Sequence, residues 1–467
     1  MSPLHRNAHA AHHVDELTVN PLYASTASFA GVPRHRIPDN PMPPDTALAI
    51  IRDELILDGN ARQNLATFCT TWMEPQAGQL IADCLAKNMI DKDEYPQTAE
   101  IERRCVNILA HLWHAADPEA TGCSTTGSSE AVMLGGMTLK WRWRARRRAA
   151  GLPADRPNLV MSTNVHVCWP KFCRYWDVEP RMVPMTREHM GLDGERAVAM
   201  CDENTIGVIT VLGSTQDGRY DPIAEICAAL DTLAAERGVD VPVHVDAASG
   251  GFVAPFLHPA VVWDFQQPRV QSINASGHKY GLVYPGVGWI IWRDAEALPE
   301  DLVFRCNVLG GDISTFSLNF SRPGAQVAAQ YYNFLRLGFE GYRRLQQTCQ
   351  DVALYLSSKV STIDQLELLS DGADLPVFAF TLRPDVTNFT VFDLSDRLRQ
   401  QGWQIPAYTL PPDLEDLAIM RIVVRPGLSM DLASMLLADI RRHIEHLAAT
   451  PQPTAAPAHH KAHAFHH

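Results

Sequence analysis

The feature that most constrains the fold is a change of rhythm that begins at Gly127. Beyond it, short apolar runs alternate with stretches of helical period. A helix is expected from Ser129 to Arg148, followed by a strand at Asn158–Ser162. A strand at Ile206–Val211 should lead to a helix from Pro222 to Arg237. Further strands are expected at Val241–Val245, Gln271–Asn274 and Val287–Trp292. Apolar strands separated by helices form a parallel or mostly parallel sheet covered on both faces. In such an α/β sheet, ligands collect at the carboxyl ends of the strands.

The flanking regions are organised differently. Residues 1 to about 45 are rich in His, Ala and Pro and read as a loose arm, one that could cross to a partner subunit. Asp45 to Asn60 has helical spacing through Leu48, Ile51 and Leu55, and a longer helix is expected over about Ala99–Ala115. After Asn319-Phe-Ser-Arg-Pro323 a long helix, about Gly324–Tyr355, leads to a smaller α+β region. That region should hold a strand at Val377–Leu382, a helix near Phe392–Gln401, a strand at Met420–Val424 and a helix at Met430–Ala449. The expected division is an arm and helix at 1–62, a large domain at 63–345, a small domain at 346–450 and a His-rich tail at 451–467.

Composition narrows the function classes. A net charge of −13 without a basic block speaks against nucleic acid as partner. No apolar run approaches ~18 residues, so no membrane span is expected. The first residues lack the apolar segment of a signal peptide, and the ten cysteines form no CxxC pair or zinc spacing. A reducing cytoplasm and no metal site are the expectation.

Within the alternating region, Ser272-Ile-Asn-Ala-Ser-Gly-His-Lys-Tyr-Gly281 sets Lys279 between two buried strands. Such a lysine either snorkels to the surface or is recruited for an amine of reduced pKa that attacks a carbonyl cofactor. Ser276 and His278 offer donors suited to a phosphate, and Gly277 and Gly281 let the backbone bend. Asp246 ends an apolar strand in Val243-His-Val-Asp-Ala-Ala-Ser-Gly-Gly251. It either caps the following turn or pairs with a protonated ring nitrogen. Ser124-Thr-Thr-Gly-Ser-Ser-Glu130 opens a helix, as a plain Ser N-cap or as an anion site of free N–H groups.

Taken together, HVDAASGG, SINASGHKYG, GSSEA and NFSRP resemble the pyridoxal-phosphate-dependent glutamate decarboxylases, the bacterial and plant type of the group II decarboxylases. The similarity runs from about Leu57 to Arg425. It implies an aspartate-aminotransferase-like α/β fold (pyridoxal-phosphate fold type I) with a mostly parallel seven-stranded sheet. It further implies pyridoxal 5'-phosphate as cofactor, L-glutamate as substrate and a homodimer or hexamer. By resemblance, Lys279 forms the internal aldimine and Asp246 contacts the pyridine nitrogen. Ser128, Ser129 and His278 are implied as phosphate ligands, Thr215 lies near the cofactor, and Ser321 reaches the phosphate of the neighbouring subunit. Thr67, Asn88 and Asp91 would select the distal carboxylate, and Arg421 would bind the α-carboxylate. The implied reaction passes through an external aldimine and a quinonoid to 4-aminobutyrate and carbon dioxide.

Three positions depart from the family pattern. Val308 in Phe304-Arg-Cys-Asn-Val-Leu-Gly-Gly311 stands where the family has a Tyr that helps protonate Cα. His278, Lys279 or water must then deliver that proton, or oxidative side reactions follow. His166 replaces a Gln and is the ring-stacking candidate, as in the wider decarboxylase group. Pro170 stands where relatives have His or Glu. Nine of the 19 histidines lie in the first 13 and last nine residues. They read as an unpacked tail or, by resemblance to the enteric enzymes, as a gate in which His466 enters the site when neutral. The alternatives to glutamate decarboxylation are another acidic amino acid as substrate, decarboxylation coupled to oxidative deamination, and a catalytically silent scaffold.

Overall fold

A computed structural model of the chain describes residues 33–307 and 313–449. Val308 and His466 lie outside the described residues. The described residues fall into two compact units, divided between Asn60 and Ala61. In the first, α1 (Pro44–Leu55) starts with proline at its first turn, where a missing N–H costs nothing, and holds no buried residue. It ends at Leu55 rather than Asn60.

The second unit opens with α2 (Pro75–Asp83) and α3 (Pro96–Leu112) and then builds a seven-stranded sheet. The strands are β1 (Gly122–Thr125), β2 (Asn158–Ser162), β3 (Glu179–Val183), β4 (Thr205–Val211), β5 (Val243–Asp246), β6 (Val270–Ala275) and β7 (Gly288–Trp292). Their spatial order is β1-β7-β6-β5-β4-β2-β3. Pairs β2–β3, β2–β4, β4–β5 and β5–β6 are parallel, and β7 is antiparallel to both β6 and β1. The expected mostly parallel sheet is therefore present, with β7 as its reversed strand. Every residue of β2, β4, β5 and β7 is buried, which is why apolar residues dominate them, with polar exceptions such as His244 and Asp246 in β5. The two strands the patterning missed, β1 and β3, are the sheet's edges. Strand β3, Glu-Pro-Arg-Met-Val, starts with exposed residues as an edge tolerates, whereas β1, Gly-Cys-Ser-Thr, is short and buries Ser124 against Glu102.

Helices α4 (Ser128–Ala149), α5 (Cys168–Tyr175), α6 (Gly194–Ala199), α7 (Ile223–Arg237) and α8 (Ala254–Leu257) connect these strands. The pair β8 (Phe304–Cys306) and β9 (Ile313–Thr315) precedes α9 (Ala325–Val360). Helix α9 breaks at Gly338, whose φ of 57° suits a residue without Cβ.

A second, antiparallel sheet follows, ordered β10-β11-β13-β12. It comprises β10 (Leu366–Ser370), β11 (Val377–Leu382), β12 (Ala407–Thr409) and β13 (Ala418–Val423), with α10 (Val391–Gln400) and α11 (Met430–Ala449). Thr390 and Asp393 close a capping box at the start of α10. Strand alternation divides β13: Met420 and Ile422 join the core under α10 and α11, while Val423 joins the core of the first sheet. Arg421 shares the parity of Val423, which turns it toward the first sheet.

Candidate active site

Five loops leave the carboxyl ends of strands that point the same way: β1, β2, β4, β5 and β6. The loops deliver Ser128, His166, Thr215 and Lys279, and the last residue of β5 is Asp246 itself. Together with Ser129 and His278 these residues line one cavity of about 320 Å³. Strand direction alone thus gathers groups that are up to 151 residues apart, from Ser128 to Lys279.

One end of the cavity suits an anion. Helix α4 begins there, and its first amides have no acceptor within the helix. Ser128 Oγ lies 2.7 Å from Ser276 Oγ. His278 Nδ1 accepts from the amides of Gly286 (3.4 Å) and Val287 (3.3 Å). A neutral imidazole whose Nδ1 accepts must carry its proton on Nε2, leaving that nitrogen as a donor. Burial, reinforced by the neighbouring Lys279 charge, pushes the His278 pKa down to about 4, so the ring stays neutral near pH 7. Glycines open this corner: a Cβ on Gly127 would sit 2.9 Å from His278 Cε1, and one on Gly288 2.5 Å from the Gly127 carbonyl carbon.

The middle of the cavity holds an acceptor and an amine. Asp246 is almost fully buried, and both of its oxygens are partnered. Oδ1 accepts from Asn274 Nδ2 (3.0 Å) and from the Ala248 amide (3.2 Å), and Oδ2 accepts from Trp169 Nε1 (2.9 Å). Oδ1 thus has both lone pairs engaged, while Oδ2, with one donor, can take a further one such as a protonated ring nitrogen. Lys279 Nζ lies 3.3 Å from Ser249 Oγ and 5.1 Å from the Phe68 ring centroid. Desolvation lowers its pKa below the ordinary lysine value, against the opposing pull of Asp246. His166 Nδ1 faces Cys168 Sγ at 3.2 Å, and desolvation lowers its pKa as well.

Arg421 approaches from the second sheet. Its Nη1 donates to the Thr215 carbonyl (2.5 Å) and its Nη2 to the Ala66 carbonyl (2.6 Å). Its Nε is buried with no hydrogen-bond partner among the described residues. A fixed guanidinium with an unspent N–H is a ready fork for a carboxylate.

The remaining sequence candidates do not line the cavity. Thr67 is spent on its own turn, accepting from the Cys69 amide. Its segment covers the lysine loop, because Thr70 donates its amide to the His278 carbonyl and its hydroxyl to the Lys279 carbonyl. Asn88 Nδ2 lies 3.2 Å from Ser321 Oγ, and Asn88 Oδ1 accepts from the Arg322 amide. Asp91 follows in a backbone turn onto the Asn88 carbonyl. This cluster reaches the cavity wall through Asn319, which donates to Glu130.

Sequence reading missed Trp169, Asn274, Ser249 and Arg425. Arg425 donates to Cys69 O, Thr71 Oγ1, Ala61 O and Asn64 O, so it cages the covering segment. Asn274 had a signal: a polar residue in an otherwise buried strand demands a partner.

Residues 38–383 match the family described as pyridoxal-dependent decarboxylase conserved domain. The chain is 52% identical to the glutamate decarboxylase of Aliivibrio fischeri, over 95% of this chain and 96% of that one. It is 48% identical to glutamate decarboxylase 5 of Arabidopsis thaliana, over 93% and 88% respectively. Among solved structures, glutamate decarboxylase of Lactobacillus brevis superposes with a TM-score of 0.89 at 46% identity, covering 93% of this chain and 99% of that one.

Proposed function

The chain belongs to the pyridoxal-dependent decarboxylase family, and from that premise we propose that it converts L-glutamate into 4-aminobutyrate and carbon dioxide with pyridoxal 5'-phosphate as cofactor. The observation that carries this reading is the single cavity joining an anion end, a buried carboxylate and a desolvated amine. That donor set fits a phosphate at one end and a basic ring nitrogen in the middle. When bound, the cofactor supplies a carbonyl that takes up amines and a ring that accepts the electron pair left by carbon dioxide.

The chain's own residues do the rest. The N-terminus of α4, Ser128, Ser129 and the His278 Nε2–H would hold the phosphate. Lys279 offers an amine whose lowered pKa leaves more of it uncharged and nucleophilic. Asp246 would keep the ring nitrogen protonated, and His166 and Thr215, which line the same cavity, would pack against the ring. Arg421 orients the α-carboxylate as a two-point fork, leaving the bond to be broken in one direction. Thr67, Asn88 and Asp91, which do not line this cavity, are proposed for the distal carboxylate by resemblance alone, with Asp91 acting through water. Ser321, tied to Asn88, would reach across to the phosphate bound by the neighbouring subunit. His278, Lys279 or water would supply the proton that Cα takes up. A homodimer or an assembly of dimers such as a hexamer, located in the cytoplasm, completes the proposal; no described helix is long and apolar enough to cross a membrane. A division at 63–345 and 346–450 is part of the proposal, supported by one of the two larger sheets falling in each stretch.

Val308 favours a second reading. With no tyrosine before Leu309-Gly-Gly311, part of the flux would be oxidised by dioxygen to succinic semialdehyde, ammonia and peroxide. Borohydride treatment of the cofactor-loaded protein tests the primary reading. It should fix the cofactor covalently on the peptide containing Lys279, detected by mass spectrometry. Labelling of another lysine, or of none, would overturn the assignment.

A further inference from the structure

Behind Asp246 lies a buried polar row that the reaction scheme above does not use. The parallel register of β5 and β6 sets His244 beside Ser272 and Asp246 beside Asn274. With side chains alternating along each strand, all four lie on the same face. Ser272, His244 and Asn274 are fully buried. His244 Nδ1 lies 2.7 Å from Ser272 Oγ, and His244 Nε2 lies 2.7 Å from Asn274 Oδ1. Asn274 Nδ2 donates to Asp246 Oδ1 at 3.0 Å.

The direction of these bonds follows from the carboxylate. An amide oxygen turned toward Asp246 would repel it, so Asn274 must present its NH2 there and its oxygen to His244. His244 must then carry a proton on Nε2, and its Nδ1 accepts from the Ser272 hydroxyl. Burial, the larger influence, pushes the His244 pKa down to about 4, so the ring carries one proton at neutral pH and the direction is kept. The ring is also fixed in place. A Cβ on Gly135 would lie 2.6 Å from its Cε1, and Trp169 packs edge-on at 5.0 Å while donating to the other Asp246 oxygen. A position that needed only filling could take an apolar side chain and bury no polar atoms, whereas His244 buries two ring nitrogens and both are partnered.

We propose that His244 is a positioning residue for the decarboxylase: a one-way hydrogen-bond chain, Ser272 to His244 to Asn274 to Asp246, fixes the carboxylate that faces the cofactor ring. The proposal rests on the placement of Asp246 argued under the proposed function. His244 touches neither cofactor nor substrate; it acts by preventing Asn274 from turning and so by fixing the orientation of Asp246.

The test uses enzyme loaded with cofactor carrying ¹⁵N at the ring nitrogen, in wild type and in Asp246→Asn, His244→Leu and His244→Gln. The wild-type signal should lie in the pyridinium range. His244→Leu should move it toward neutral pyridine and lower kcat about 10–100-fold, as is usual for groups that orient a ligand, with little change in KM. His244→Gln, which restores a donor to Asn274, should recover most of both. If Asp246→Asn moves the signal but His244→Leu leaves it and kcat as in wild type, the chain is overturned and the role of Asp246 stands. If Asp246→Asn leaves the signal unchanged, the placement of Asp246 falls and the proposal with it. Should His244→Leu fail to fold, the imidazole ¹⁵N shifts of His244 in wild-type cofactor-free protein decide. The Nε2–H tautomer is expected at neutral pH, and an Nδ1–H tautomer or an imidazolium would overturn the proposal.

Discussion

Arg421 shows how a single side chain can be committed and still available. Its two terminal nitrogens are held by the carbonyls of Thr215 and Ala66, while its Nε is buried without a partner among the described residues. Arg421→Lys keeps the charge but loses the planar fork, and charge-assisted bonds of this kind contribute about 2 kcal/mol. A loss of ~30-fold in kcat/KM for L-glutamate is therefore expected from steady-state kinetics. His278 makes a different prediction. Its folded pKa of about 4 lies below the ordinary value of 6.5, so its contribution to stability is intact above about pH 6.5 and is lost as the pH falls through about 4. Denaturant midpoints of the cofactor-free protein at pH 7 and pH 4.5 should differ less in His278→Gln than in wild type. At this scale Lys279, Asp246 and the Ser128–Ser129 pair were legible, because each sits in a short motif whose chemistry is local. Asn274 and Trp169 were not. Their meaning depends on strand register and on a contact spanning 77 residues, neither of which a linear reading contains.

Elements place the site through strand direction and through close approach. The inner strands of the first sheet were legible because apolar residues dominate them, and they and the loops that follow carry the site residues. Edge strands β1 and β3 escaped notice because β1 is short and β3 starts with exposed residues, as an edge tolerates. That omission matters, since β1 ends at the turn that launches α4. Gly288 on β7 is where this turn rests: an added Cβ would lie 2.8 Å from the Ser128 amide nitrogen and closer still to Gly127. Gly288→Ala should thus push the start of α4 out of the cavity. The expected outcome is a stability loss of about 1–3 kcal/mol by chemical denaturation, as for other overpacked positions. Weakened cofactor binding, read by titration with pyridoxal 5'-phosphate, should accompany it. Unchanged cofactor affinity would show that the helix start does not hold the phosphate.

At the scale of the whole molecule, the two larger sheets meet where Arg421 and Arg425 grip the segment over the Lys279 loop. The fold class was legible because the alternating strand–helix rhythm spans most of the chain. The grip was not, because both arginines use backbone carbonyls, which carry no sequence signature. If Ser321 completes a neighbouring subunit's phosphate site, Ser321→Ala should weaken cofactor binding without changing the sedimentation coefficient of the assembly. A gate formed by the tail would show itself differently: deleting residues 451–467 should raise activity near neutrality, and an unchanged pH profile would exclude a gate by His466. The central claim concerns what the assembled site does to its substrate. Incubating the cofactor-loaded protein with L-glutamate and counting products tests it most directly. Carbon dioxide and 4-aminobutyrate released in equal amounts, one of each per glutamate consumed, is the result the primary reading predicts; a minor share of succinic semialdehyde with peroxide would mark the second reading. Carbon dioxide accompanied by succinic semialdehyde and peroxide in place of 4-aminobutyrate, or no carbon dioxide at all, would contradict it.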